Sequence, residues 1–215
     1  METFLLVLAA LFPVVNPPGA ALVFLTITKR ASIASRRALA RRIAINAFAV
    51  MASSLLLGAF ILKIYGISVP ILRVAGGLIV AVSGWKLLNE GNPKDAEIDA
   101  ADQKADFSNQ AFYPLTLPLT TGPGTIAILI SLGLSRSAYS GLGEDVHFFI
   151  ASMLAVAVIA VAVYVSFAFS DRIERVLGRG GTDIAVRLSA FILFCLGVQI
   201  VWTGAAELLR SIPLQ

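Results

Sequence analysis

The sequence has one cysteine, Cys195, one histidine, His147, and little charge, with only 14% of its 215 residues Asp, Glu, Lys or Arg. A single cysteine excludes an intrachain disulfide and a cysteine metal cluster, and a lone histidine builds no histidine metal site by itself. The scarcity of charge says more. A soluble domain carries about a quarter charged residues, and this chain lacks them. Apolar residues make up 58% and the mean hydropathy is +0.86. Several apolar runs are long enough to cross a hydrocarbon layer of about 30 Å. No run has a charged residue at its middle; Glu2, Lys63, Lys86 and Glu207 stand near ends, where long side chains reach the interface. Proton-coupled carriers commonly keep a carboxylate or histidine at membrane depth, so proton coupling through a core carboxylate has no support here. Hydroxyls and carbonyls at the breaks are groups able to hold Na⁺, which the sequence does not demand.

Other absences remove further classes. The net charge is +4 and the pI near 9.5, yet the lysines and arginines sit between apolar runs and form no basic domain, which argues against nucleic-acid binding. Gly122-Pro123-Gly124 lacks the lysine and following hydroxyl of a phosphate-binding loop. No nucleophile–base pair stands out, so an enzyme is not expected, and no cofactor is called for. The first run continues through Asn16-Pro17-Pro18-Gly19 without a small-residue exit, so no cleavable signal is expected.

Six hydrophobic segments follow, near Thr3–Thr28, Ile43–Tyr65, Ile71–Leu88, Ala111–Gly133, Phe148–Ser170 and Val186–Leu208. Asn89–Gln110 is polar and acidic and reads as a linker. Thirteen of the seventeen Lys and Arg residues fall in the first, third and fifth loops. The positive-inside rule makes loops 29–42, 89–110 and 171–187 cytoplasmic. Six full crossings then leave both termini outside.

The chain also repeats itself. Shifted by 105 residues, Phe12-Pro13-Val14-Val15-Asn16-Pro17-Pro18-Gly19 lands on Leu117-Pro118-Leu119-Thr120-Thr121-Gly122-Pro123-Gly124, with two prolines and one glycine coinciding. Arg73 opens the third segment as Arg187 opens the sixth. The expected architecture is an all-α membrane protein of six transmembrane helices. Two inverted three-helix repeats, residues 1–89 and 111–215, are joined by the linker 90–110, with helices 1 and 4 broken. Three crossings per half force the inversion.

Each break has a physical cause. Proline removes a backbone donor and clashes with the preceding turn, and unpaired backbone is tolerated at membrane depth only inside protein or along a cavity. Asn16 before Pro17, and Thr120 or Thr121 before Pro123, are N-cap residues for new half-helices. Two half-helix N-termini meeting at the midplane suit an anionic group such as a carboxylate. The candidate substrate-binding set is Asn16, Pro18, Gly19, Thr120, Thr121, Gly122, Gly124 and Thr125, with Gln199, a bulky amide deep in the sixth segment. Arg73 and Arg187 are candidate gates at the two mouths. A re-entrant hairpin at each break is the alternative to a full crossing. The pieces flanking a break are each about half a bilayer long at 1.5 Å per residue, and charge bias does not separate the two.

The two broken motifs, Arg73-Val74-Ala75-Gly76-Gly77 and the late Gln199 together resemble the MarC family, over essentially the whole chain with the acidic linker as its variable part. That resemblance implies a bacterial or archaeal inner-membrane protein, grouped with the lysine-exporter-like superfamily, and transport of small neutral amino acids such as glycine and alanine. It does not imply antibiotic efflux. This chain departs from the family's usual pattern at Pro18 and at Arg187-Leu188-Ser189-Ala190, where a glycine is more frequent. The expected function is secondary transport of a small zwitterion (glycine, alanine or serine) at a midplane site. The partners are the lipid bilayer and that substrate, Na⁺ or H⁺ coupling stays open, and a homo-oligomer is compatible. A channel with paired half-helices, or a non-transporting scaffold, fits the same motifs.

Overall fold

A computed structural model describes residues 2–28, 31–90, 111–113, 115–136 and 142–211, and every regular element among them is helical. Helix α1 (Glu2–Val15) and α2 (Pro17–Ile27) are separated by Asn16 alone; α3 (Ile33–Tyr65) and α4 (Val69–Glu90) follow. A π-helical turn, Leu115–Thr120, precedes α5 (Pro123–Arg136), α6 (Leu142–Ala168) and α7 (Ser170–Arg210). Local signals set several ends. The Ser32 hydroxyl accepts the Ser35 amide at 3.1 Å and starts α3, and Gly66 stops it in the left-handed region, its amide returning to Leu62 and Lys63. Helix α7 is interrupted at Gly178, whose φ of 67° and ψ of 174° are non-helical.

Five helices among the described residues are long and apolar enough to cross a membrane: Glu2–Leu25, Ile33–Tyr65, Val69–Asn89, Asp145–Ala168 and Gly180–Arg210. They match five of the six expected segments. The fourth differs, because its apolar helix is only Pro123–Leu134. Twelve residues rise about 18 Å, well short of a bilayer core. The acidic linker lies, from residue 91 onward, outside the described residues.

The packing divides the helices by chemistry. Helices α1, α2, α3, α5 and α6 share one core of large aliphatic residues, among them Leu11, Ile43, Met51, Leu55, Leu129 and Ile159, all nearly or fully buried. Phe24 of α2 stacks on Phe167 of α6 with ring centroids 4.7 Å apart. Helices α4 and α7 stay out of that core and pair with each other, antiparallel, through glycines. A Cβ placed on Gly197 would sit 2.3 Å from the Ala81 nitrogen, and one on Gly84 2.5 Å from the Phe194 nitrogen. In lipid no hydrophobic force drives two apolar helices together, so close backbone approach supplies the attraction.

Ion pairs tie α7 to α3 and to α4. Arg36 of α3 pairs with Asp171 at the start of α7, and Arg73 of α4 pairs with Glu207 of α7. Arg73 Nε also donates to Ser131 Oγ of α5 at 3.3 Å.

Candidate functional site

Both breaks face one cavity of about 370 Å³, a size typical of small-molecule sites. It lies between the α4–α7 pair and the five-helix core. Val14, Val15, Asn16, Gly19 and Ala20 come from the first break; Leu119, Thr120, Gly122, Pro123 and Thr125 come from the second. From there the cavity follows α2 through Val23 to Ile27, and α4 through Ile79, Val80 and Ser83 to Lys86 and Leu87. Leu193 is the α7 contribution. The N-terminal half of α4 is shut against α5: a Cβ on Gly76 would meet the Ala127 methyl at 2.7 Å, and one on Gly124 would collide with Val80. The cavity therefore extends toward one end of α4 and is closed toward the other.

At the first break, Asn16 caps α2 from the left-handed region (φ 45°, ψ 60°) and its Oδ1 accepts the Gly19 amide at 3.3 Å. Asparagine tolerates that backbone better than most residues. Gly19 is required beside it, since a Cβ there would lie 2.4 Å from Asn16 Nδ2. The donors of this half-helix are all occupied or absent. Pro17 and Pro18 have none, the Gly19 amide goes to the Asn16 side chain, and the Ala20 amide goes to the Asn16 carbonyl at 2.9 Å. Pro17 and Pro18 bring no N–H and the Gly19 amide is taken by the Asn16 side chain, so the last carbonyls of α1 lack helical donors. Those of Val14 and Val15 accept no backbone N–H among the described residues. Helix α1 thus turns its negative dipole end toward the cavity.

The second break has the opposite character. Pro118 brings no N–H, and the chain widens into a π turn in which Leu117 is extended (φ −110°, ψ 122°). Three threonine hydroxyls fill carbonyls five residues back: Thr116 to Ala111 at 2.6 Å, Thr120 to Leu115 at 2.8 Å and Thr121 to Thr116 at 3.2 Å. Helix α5 then starts at Pro123, with the Ile126 amide as the first to reach back, to Gly122 at 3.2 Å. The Gly124 and Thr125 amides have no backbone acceptor, and the Thr125 hydroxyl no partner, among the described residues. Amide donors and a hydroxyl therefore meet at the positive end of α5.

The candidate residues separate accordingly. Asn16, Gly19, Thr120, Gly122 and Thr125 are brought together. Thr121 is buried outside the lining and its hydroxyl turns back to Thr116, so it does not cap α5 as expected. The Thr120 hydroxyl likewise donates to backbone and offers the cavity only an acceptor. Gly124 packs on Val80, and Pro18 points to the exterior. Gln199 is exposed on the outer surface of α7 and does not line the cavity. Neither arginine lines it either: Arg73 is held by Glu207 and Ser131 at the closed end, and Arg187 is exposed. Sequence reasoning missed Lys86, a cation on the lining together with Ser83 and Ile79. Their spacing of three and four places them on one helix face, but nothing local marks that face as the inner one.

Comparison with known proteins agrees with this membrane architecture. Residues 1–209 match the family described as MarC family integral membrane protein. A membrane protein of Archaeoglobus fulgidus is 35% identical over 204 residues, covering 95% of this chain and 92% of its own length. The inner membrane protein MarC of Escherichia coli K12 is 34% identical over 212 residues, covering 95% and 94%. No solved structure matches. With identity of that level across nearly its whole length, this chain belongs to the MarC family of integral membrane proteins.

Proposed function

We propose that the chain is a secondary transporter of neutral amino acids in the cell membrane, holding the zwitterion between its two breaks. The observation that carries this reading is the opposite polarity of the breaks. The Thr125 amide and hydroxyl at the head of α5, with the side-chain Nδ2 of Asn16, suit a carboxylate. The carbonyls of Val14 and Val15, which accept no backbone N–H among the described residues, and the Thr120 oxygen suit an ammonium group. Glycine and alanine, the substrates implied by the family resemblance, carry that head group, and so does serine. Closure of the cavity beyond Val80 favours a carrier over an open channel.

Two related readings belong with it. The halves act as inverted repeats: α4 pairs with α7, α3 with α6, and the α3–α5 contact has its counterpart in α1 and α2 against α6. The end toward which the cavity extends faces the cytoplasm, because α2 and α4 lead there into arginine- and lysine-rich loops. The test is uptake of labelled alanine into proteoliposomes, with and without a Na⁺ or pH gradient. Saturable uptake dependent on folded protein is expected, and none for any neutral amino acid overturns the proposal. Lys86→Gln is expected to raise KM about three- to tenfold with kcat little changed, as loss of a screened attraction at the mouth would. An unchanged KM removes Lys86 from recognition.

A further inference from the structure

Apart from Ser83 and Lys86, the polar residues of the cavity sit at its inner end, and the rest of the lining is aliphatic. Val23 and Ile27 of α2, Ile79, Val80 and Leu87 of α4, and Leu193 of α7 form these walls, with Ser83 and Lys86 the polar residues among them. Among the described residues no aromatic ring lines the cavity. Its 370 Å³ equals the liquid volume of about a dozen waters at roughly 30 Å³ each. Glycine or alanine bound at the breaks would leave most of those walls against water, and the hydrophobic effect opposes that. We infer that the aliphatic walls receive the substrate's side chain, so that the preferred substrate is a neutral amino acid of the valine–leucine class. This rests on the zwitterion reading of the breaks and adds a choice of side chain to it.

The discriminating measurement is a substrate series on the wild-type protein in proteoliposomes. Labelled alanine and labelled leucine are compared, and each is competed with unlabelled glycine, alanine, valine, leucine and phenylalanine. Leucine is expected to half-saturate at a concentration at least tenfold below alanine, since each buried methylene improves binding several-fold. Leucine at equal or higher concentration than alanine overturns the inference while leaving the zwitterion reading intact. Uptake of neither overturns both. The variant Leu193→Phe narrows the aliphatic part and is expected to raise the KM of leucine at least tenfold relative to that of alanine. Should it fail to fold, Leu193→Ala widens the same wall and is expected to weaken leucine more than alanine. A leucine-to-alanine ratio unmoved by either substitution overturns the assignment.

Discussion

Replacing Asn16 with alanine is expected to lower kcat/KM for neutral amino acid uptake by about ten- to hundredfold, the worth of one hydrogen bond to a charged group. The same change is expected to destabilise the protein, for two separable reasons. The lost cap on the Gly19 amide costs about 0.5–2 kcal/mol, and alanine in the left-handed region costs about 1–2 kcal/mol. Asn16→Gly separates stability from function, because glycine takes the φ of 45° freely and is a tolerable cap. It is expected to melt within a few degrees of the wild type and still transport poorly. Wild-type uptake by Asn16→Gly would reduce Asn16 to a helix cap and remove it from the site. Gly19→Ala is expected to follow Asn16→Ala in uptake, since its methyl displaces the Asn16 amide.

The second large effect is expected at Gly197. A methyl there meets the backbone nitrogen and Cα of Ala81 at 2.3 and 2.6 Å, and backbone, unlike a side-chain tip, does not rotate away. Helices α4 and α7 must separate, with a loss of about 1–3 kcal/mol or more from overpacking. The surroundings offer little compensation, because lipid solvates the parted helix faces as well as they solvate each other. Gly197→Ala is therefore expected to lower the melting temperature in detergent markedly. Gly180→Ala, on the same helix with nothing within 4 Å of its new methyl, is expected to be neutral or slightly stabilising. Equal melting temperatures for the two variants would show that the α4–α7 contact is not a tight glycine interface.

Much of this architecture is legible in the residues because membrane helices and proline breaks are local phenomena. Composition alone excludes a soluble domain. Asn16 before Pro17 announces a new helix whatever lies around it, and the structure caps α2 there. The second break is less transparent: its two threonines look like capping residues, yet both hydroxyls donate to carbonyls five residues behind them. Which of two carbonyls a threonine hydroxyl reaches depends on how wide the turn is, and proline spacing does not encode that width. Gln199 shows the same boundary from the other side. An amide in an apolar helix marks polarity at depth without saying which way the helix is turned.

By itself, then, the sequence determined that the chain spans a membrane, where its apolar helices run and where two of them break, since hydropathy, proline and glycine act within a few residues of themselves. Only the tertiary structure decided that the breaks meet across one cavity, that the end of α1 and the head of α5 turn opposite dipole ends toward it, and that Lys86 lines it while Gln199, Arg73 and Arg187 do not. The physical reason is that a helix's rotation and neighbours come from packing, here a glycine-tight α4–α7 pair set against an aliphatic core, and packing is a property of residues far apart in the chain.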